Sequence, residues 1–175
     1  MKKLFNEFIL TDYIGGYKKA LKKKIDQLEI KDSTDLDSLV SGLKSEFIIH
    51  QIELKEPVPS EPIEKTILKK DIWDETVQQK VYEIYVKIPF EGNQDLFYCH
   101  PSVSKLVYFD KGITINSNSI TAKIVLENSG AVFYNTALNR IIGVLKSNLL
   151  IIHSEIKPWN LGIETLIKQY LERKK

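Results

Sequence analysis

The longest alternation of apolar and polar positions runs from Lys80 to Phe90, where Tyr82, Ile84, Val86, Ile88 and Phe90 recur at every second residue. Successive side chains of a strand point to opposite faces. The spacing therefore predicts a strand with those five on the core face, and Glu83 and Lys87 on the other face beside Val81 and Tyr85. Pro89 interrupts the ladder, Glu91-Gly92-Asn93 turns the chain, and Leu96-Phe97-Tyr98 returns it to an apolar surface.

Upstream the period is helical. Residues 2–10 read as a short helix or an arm and Gly15-Gly16 as a break, after which Tyr17, Leu21, Ile25 and Leu28 form the apolar stripe of a helix. Lys18, Lys19, Lys22, Lys23 and Lys24 cover its polar side. Asp32-Ser33-Thr34 offers caps for a second helix, whose apolar face is Leu36, Leu39, Val40, Leu43 and Phe47. Ile52 and Leu54 alternate with Glu53 and Lys55 as a strand, and Pro57, Pro59 and Pro62 restrict the next segment to an edge or an extended connection. Residues 63–70 suit another edge strand, and 71–75 a loop carrying a partly buried Trp73.

Downstream, residues 105–110 form a strand candidate, and 112–116 and 119–126 flank a turn at Asn116-Ser117-Asn118, where asparagine tolerates positive φ. Ile120, Ala122, Ile124 and Leu126 would line the core. From about Ser129 apolar residues step by three or four through Tyr134, Leu138, Ile141, Leu145, Leu149, Ile152 and Ile156, until Pro158 should kink or end the helix. A last helix runs from Trp159 through Leu171. The expected architecture is a single α+β domain over 1–175: a basic helical region over 1–31, a central, mainly antiparallel sheet, and a long C-terminal helical region over 129–175, kinked or broken at Pro158. That C-terminal region carries more apolar face than one small sheet requires. Leu145, Leu149, Ile152, Ile156 and Trp159 thereby become candidates for an interaction seam with a protein partner or a second copy.

Composition narrows the function classes. With 43% hydrophobic and 27% charged residues the chain is ordinary for a globular protein, and its single cysteine suits a reducing, cytoplasmic setting. The most apolar window, 141–152, holds Lys146, Ser147 and Asn148 and is too short to span a bilayer, so no membrane partner is expected. The net charge of +2 is unevenly spread. Segments 1–31 and 168–175 carry +4 and +3, which leaves −5 for the rest. Basic ends of this kind solvate helices, but they also suit phosphate, which makes a sensor module that binds nucleic acid or a nucleotide through the lysine helix the alternative reading.

No residue pattern compels an enzyme. Cys99 and His100 are neighbours, and on a strand their side chains would point apart rather than form a nucleophilic pair. His50, His100 and His153 are scattered without metal-ligand spacing, so neither a metal nor a cofactor is expected. Glu53-Leu54-Lys55 has the Glu-x-Lys spacing of a restriction-type nuclease site, with Asp37 as the available upstream acid. The same spacing recurs at Glu155-Ile156-Lys157 on a helix, and this leaves a metal-dependent nuclease as the weakest of the alternatives.

The segment Ile88 to Ser102, with Pro89, Phe90, Gly92, Asp95, Leu96, Phe97 and Pro101, resembles a pattern in uncharacterised bacterial proteins. There a strand ending in Pro-Phe-x-Gly precedes an aspartate, a Leu-Phe pair and Pro-Ser, and a long helix with an asparagine element and basic residues comes after; Asn160 and residues 161–173 are similar to that ending. Such proteins often continue into a restriction-endonuclease-like domain and are associated with bacterial defence. Lys175 falls about where that domain would begin, so the resemblance implies a non-catalytic recognition or assembly module and assigns no nuclease residue.

Overall fold

The structure is a computed structural model that describes residues 4–30, 35–102, 112–127 and 130–174. In chain order its elements are β1 (Phe8–Ile9), α1 (Leu10–Gln27), α2 (Leu36–Phe47), β2 (Glu53–Leu54), β3 (Val58–Pro59), β4 (Ile63–Lys70) and β5 (Thr76–Glu91). A 3-10 turn (Gln94–Tyr98), β6 (Cys99–His100), β7 (Ile113–Ile115), β8 (Ser119–Leu126) and α3 (Ala131–Glu172) complete it. This is the expected α+β class, with a long C-terminal helix and a mainly antiparallel sheet of six strands.

The chain groups into two compact units. One combines Met1–Gln51, Gly92–Leu106 and Asn148–Lys175, the other Ile52–Glu91 and Val107–Ser147. α3 therefore contributes to both.

The first unit is held by a helical core. Leu21 and Ile25 of α1, Val40, Leu43 and Phe47 of α2, and Ile163, Ile167 and Leu171 of α3 form one buried cluster, with Trp159 and Tyr170 packed against it. α1 starts at Leu10, after the short β1, and runs through Gly15-Gly16 instead of breaking there. Each glycine costs about 0.5–1 kcal/mol relative to alanine. Burial of Leu10, Leu21 and Ile25 returns about 1.5–3 kcal/mol apiece, so packing wins over propensity. α2 is capped by Asp35, whose carboxylate accepts from the Asp37 and Ser38 amides at 3.1 and 3.2 Å; the caps expected at 32–34 lie outside the described residues.

α3 is continuous through Pro158, so of the two expectations there, a kink or an end, the helix does not end, and no separate last helix starts at Trp159. A proline inside a helix removes one amide donor and crowds the preceding turn, at about 3 kcal/mol. The next two residues offset this cost. Trp159 Nε1 donates to the Phe47 carbonyl at 3.0 Å, and Asn160 makes a reciprocal pair with Ile49, accepting its N–H and donating to its C=O, both at 2.9 Å.

The second unit is built on β5. It pairs antiparallel with β8 on one side, β7 continuing the sheet, and with β2, β3 and β4 along its length. Ile84, Val86, Ile88 and Phe90 face the core with Ile120, Ala122 and Ile124, as the period-two pattern predicts. On the opposite face Val81 is also buried, and Glu83 is the buried charge there. It sits between β4 and β8 at 6% exposure, and Lys123 and Lys65 close over it at 2.5 and 2.7 Å. Hydrogen bonds from Lys123 and Lys65 pull its carboxyl down to about 2. The β7–β8 hairpin forms where expected, by a different device: the Asn116 amide donates to the Ser119 carbonyl at 2.8 Å, and among described non-glycine residues only Phe5 and Asp74 take positive φ. The strand expected at 105–110 lies outside the described residues.

Candidate functional site

The side chains of the Pro89–Pro101 segment are largely engaged within the fold. Pro89 is half-buried and Phe90 buried at the end of β5, and Gly92 turns with φ 105°, a conformation that glycine adopts without a Cβ penalty. Asn93 then caps the 3-10 turn, its side-chain oxygen accepting from the Asp95 amide at 3.0 Å. Leu96, Phe97 and Pro101 are buried, and the Phe97 ring meets Phe5 at 6.1 Å. Asn93, which the sequence pattern passes over, is the hub: its amide donates to the His50 carbonyl at 3.0 Å, and its side-chain nitrogen to the hydroxyls of Tyr13 and Tyr17, each at 2.9 Å. Burial raises the Tyr13 hydroxyl well above its ordinary value, and the Tyr17 hydrogen bond adds to this. Spent on one another, these groups tie α1 to the turn.

The candidate chemistry dissolves in the same way. Cys99 is buried in β6, its thiol donating to the Asp95 carbonyl at 3.4 Å, and burial, helped by the Asp95 charge, pushes it up to about 12. His100, the next residue of the strand, is half-buried. Glu53 and Lys55 do come together at 3.2 Å, but Glu91 joins them at 3.1 Å from Lys55, and the lysine occupies the space between two exposed carboxylates. Asp37 belongs to the other unit. Among the described residues no three His, Cys, Asp or Glu side chains are grouped to hold a metal ion, and no helix is long and apolar enough to cross a membrane.

The expected seam on α3 is already covered. Leu145, Leu149, Ile152 and Ile156 are buried and Trp159 is half-buried with its indole N–H engaged, so the surplus apolar face serves the chain's own core. The lysine helix divides in two. Lys24 turns inward and pairs with Glu46. Lys18, Lys19, Lys22 and Lys23 are exposed, and no ion pair among the described residues engages them. Like charges at i,i+4 cost a few tenths of a kcal/mol per pair (~0.2–0.5). Gly15 and Gly16 lie three to four positions before Lys18 and Lys19, hence on the same face, and a Cβ at either would meet nothing within 4 Å.

The most exposed apolar cluster was not expected at all. β8 ends at Leu126, opposite Tyr82, so among the described residues positions 76–81 of β5 pair only with β4, and the part beyond buried Val81 forms a two-stranded ribbon. At its tip the Asp71 carboxylate accepts from the amides of Trp73 and Glu75, both at 2.9 Å, while the Asp71 amide donates to the Glu75 carbonyl at 2.9 Å. Asp74 takes φ 65° and pairs with Lys70 at 2.6 Å. This tightly bonded loop leaves Ile72 at 85% and Trp73 at 76% exposure, beside Leu68 at 70%. Trp73 is thus not the partly buried loop residue expected from its hydrophobicity, because among the described residues no third strand reaches the tip to cover it. The signal available in sequence was Asp71-x-x-Asp74 between two edge-like strands, which reads as turn chemistry.

In comparisons with protein-family models, with curated proteins and with solved structures, nothing matches the chain.

Proposed function

We propose that the chain is a non-catalytic recognition module that engages a protein partner, or a second copy of itself, through the tip of the β4–β5 ribbon. One observation carries the reading: Ile72 and Trp73 are presented to solvent on a loop fixed by three hydrogen bonds of 2.9 Å. Tryptophan is the residue most enriched among binding hot spots, and a loop that is ordered before binding loses little entropy when it docks. The ribbon itself is braced along its length, Lys69 pairing with Glu127 at 2.9 Å and Lys80 with Glu64 at 2.8 Å. Two strands alone are marginal in water and exposed pairs of this kind add little, so the reading rests on the bonded tip loop.

A role in the cytoplasm, within a bacterial defence assembly, rests on the resemblance of the 88–102 segment and on the single reduced cysteine, and it belongs to this same proposal. Photo-crosslinking tests it. A benzophenone amino acid placed at Trp73 in living cells should give one dominant protein adduct, identified by mass spectrometry, that is missing when the probe replaces exposed Lys87. A product of twice the chain's mass would identify self-association. Equal, diffuse labelling from both positions would refute the docking role.

A further inference from the structure

Two features of α1 work against the helix that carries them. Four lysines, at 18, 19, 22 and 23, repel one another in two i,i+4 pairs without acidic partners among the described residues. Two glycines, at 15 and 16, weaken the helix interior where no described atom outside the helix comes within 4 Å of an added Cβ. Neither is on the buried side, which Leu10, Leu21 and Ile25 occupy. Both fall on one face, and the only acids of this helix, Asp12 and Asp26, stand near its two ends. In the same unit Lys24 pairs with Glu46, Lys44 and Lys168 pair with Glu164 at 2.9 and 2.8 Å, and Lys174 donates to the Ile25 and Asp26 carbonyls at 2.7 and 2.5 Å.

We infer that this face of α1 binds the phosphodiester backbone of a nucleic acid, with Lys18, Lys19, Lys22 and Lys23 as phosphate contacts and Gly15-Gly16 as a bare stretch of helix that lets the strand approach. Lys18 and Lys22, like Lys19 and Lys23, are offset by about 6 Å along the axis, within reach of neighbouring phosphates on one strand. The face exposes no large apolar residue between Gly15 and Lys23 that could enter a lipid interface, which favours a phosphate backbone over a membrane. Lysine is a flexible point charge that suits phosphates, so binding should be largely independent of sequence and strongly salt-dependent. The site lies in the unit that does not carry the ribbon tip and does not depend on the protein-docking reading.

Fluorescence anisotropy on the full chain decides the matter, using labelled single-stranded and duplex oligonucleotides of about 16 nucleotides. The triple variant Lys18→Gln, Lys19→Gln, Lys22→Gln should lose at least about tenfold in affinity, and the slope of log K against log salt should fall by about 2–3 between 50 and 200 mM. A control triple with the same change in charge, at exposed Lys87, Lys146 and Lys157, should lose less than about twofold. Gly15→Gln with Gly16→Gln should weaken binding several-fold while raising the melting temperature, which separates lost approach from lost folding. The single-stranded and duplex arms say which form is preferred. Equal losses in the two triples, no measurable binding, or equally tight lysine-dependent binding to phosphatidylglycerol vesicles or polyglutamate would each overturn the assignment.

Discussion

Asn160→Ala should be among the most damaging single substitutions in the first unit. The Asn160 side chain both accepts from the amide of Ile49 and donates to its carbonyl at 2.9 Å, and Ile49 is fully buried. Alanine strands both backbone groups, each at a desolvation cost of about 1–3 kcal/mol. Alanine is the better helix former by about 0.5 kcal/mol, which leaves a net loss of about 2–5 kcal/mol. For a chain of this length that corresponds to a fall in melting temperature of about 5–15 °C. Asn160→Asp keeps an acceptor for the amide but sets a carboxylate against the carbonyl, so it should be no better than alanine. Urea titration followed by Trp159 emission in a Trp73→Phe background reads the event locally, since Trp159 donates to the neighbouring Phe47 carbonyl. A midpoint within about 0.5 kcal/mol of the parent would refute the claim that this pair anchors α3 past its proline.

Three further outcomes rest on the packing. Pro158→Ala should raise stability by about 1–3 kcal/mol in the same titration by restoring an amide donor to the helix, and a loss would mean that the ring itself is packed. Glu83 has a folded pKa near 2 against 4.5 for the free group, so its contribution is present above 4.5 and disappears as pH falls through about 2; Glu83→Gln should destabilise the chain at neutral pH and flatten the urea midpoint over that window, whereas an unchanged acid profile would count against the buried pair. Cys99, held near 12, should resist iodoacetamide at pH 8 until urea unfolds the chain, and rapid alkylation of the folded protein would contradict its burial.

What the sequence made legible was periodicity backed by burial. Ile84 to Phe90 and Ile120 to Ile124 alternate because one face of each strand is buried, and Leu21, Ile25, Val40, Leu43 and Phe47 recur at helical spacing because one stripe is. Errors arose where a distant residue overrides a local preference. Gly15-Gly16 and Pro158 are strong local breakers, but Leu21 and Ile25 on one helix and Asn160 on the other reward continuing past them. Glu83 reads as a solvated residue until Lys65 and Lys123 are seen to flank it from separate strands. Trp73 reads as half-buried because a single sequence does not reveal where a neighbouring strand stops. The basic face of α1 was visible from the start; the way Lys24 leaves it to meet Glu46 was not.

The helical core also sets an order of events during synthesis. Leu21 and Ile25 find their partners in Ile163, Ile167 and Leu171, and about 8–30 s of translation separate Leu21 from Leu171 at typical elongation rates. The β4–β5 ribbon, whose two strands meet across a short tip, has no such wait. On the ribosome the ribbon can therefore form while α1 and α2 still lack the α3 side of their shared core, and that open side is where a nascent-chain chaperone would find its grip.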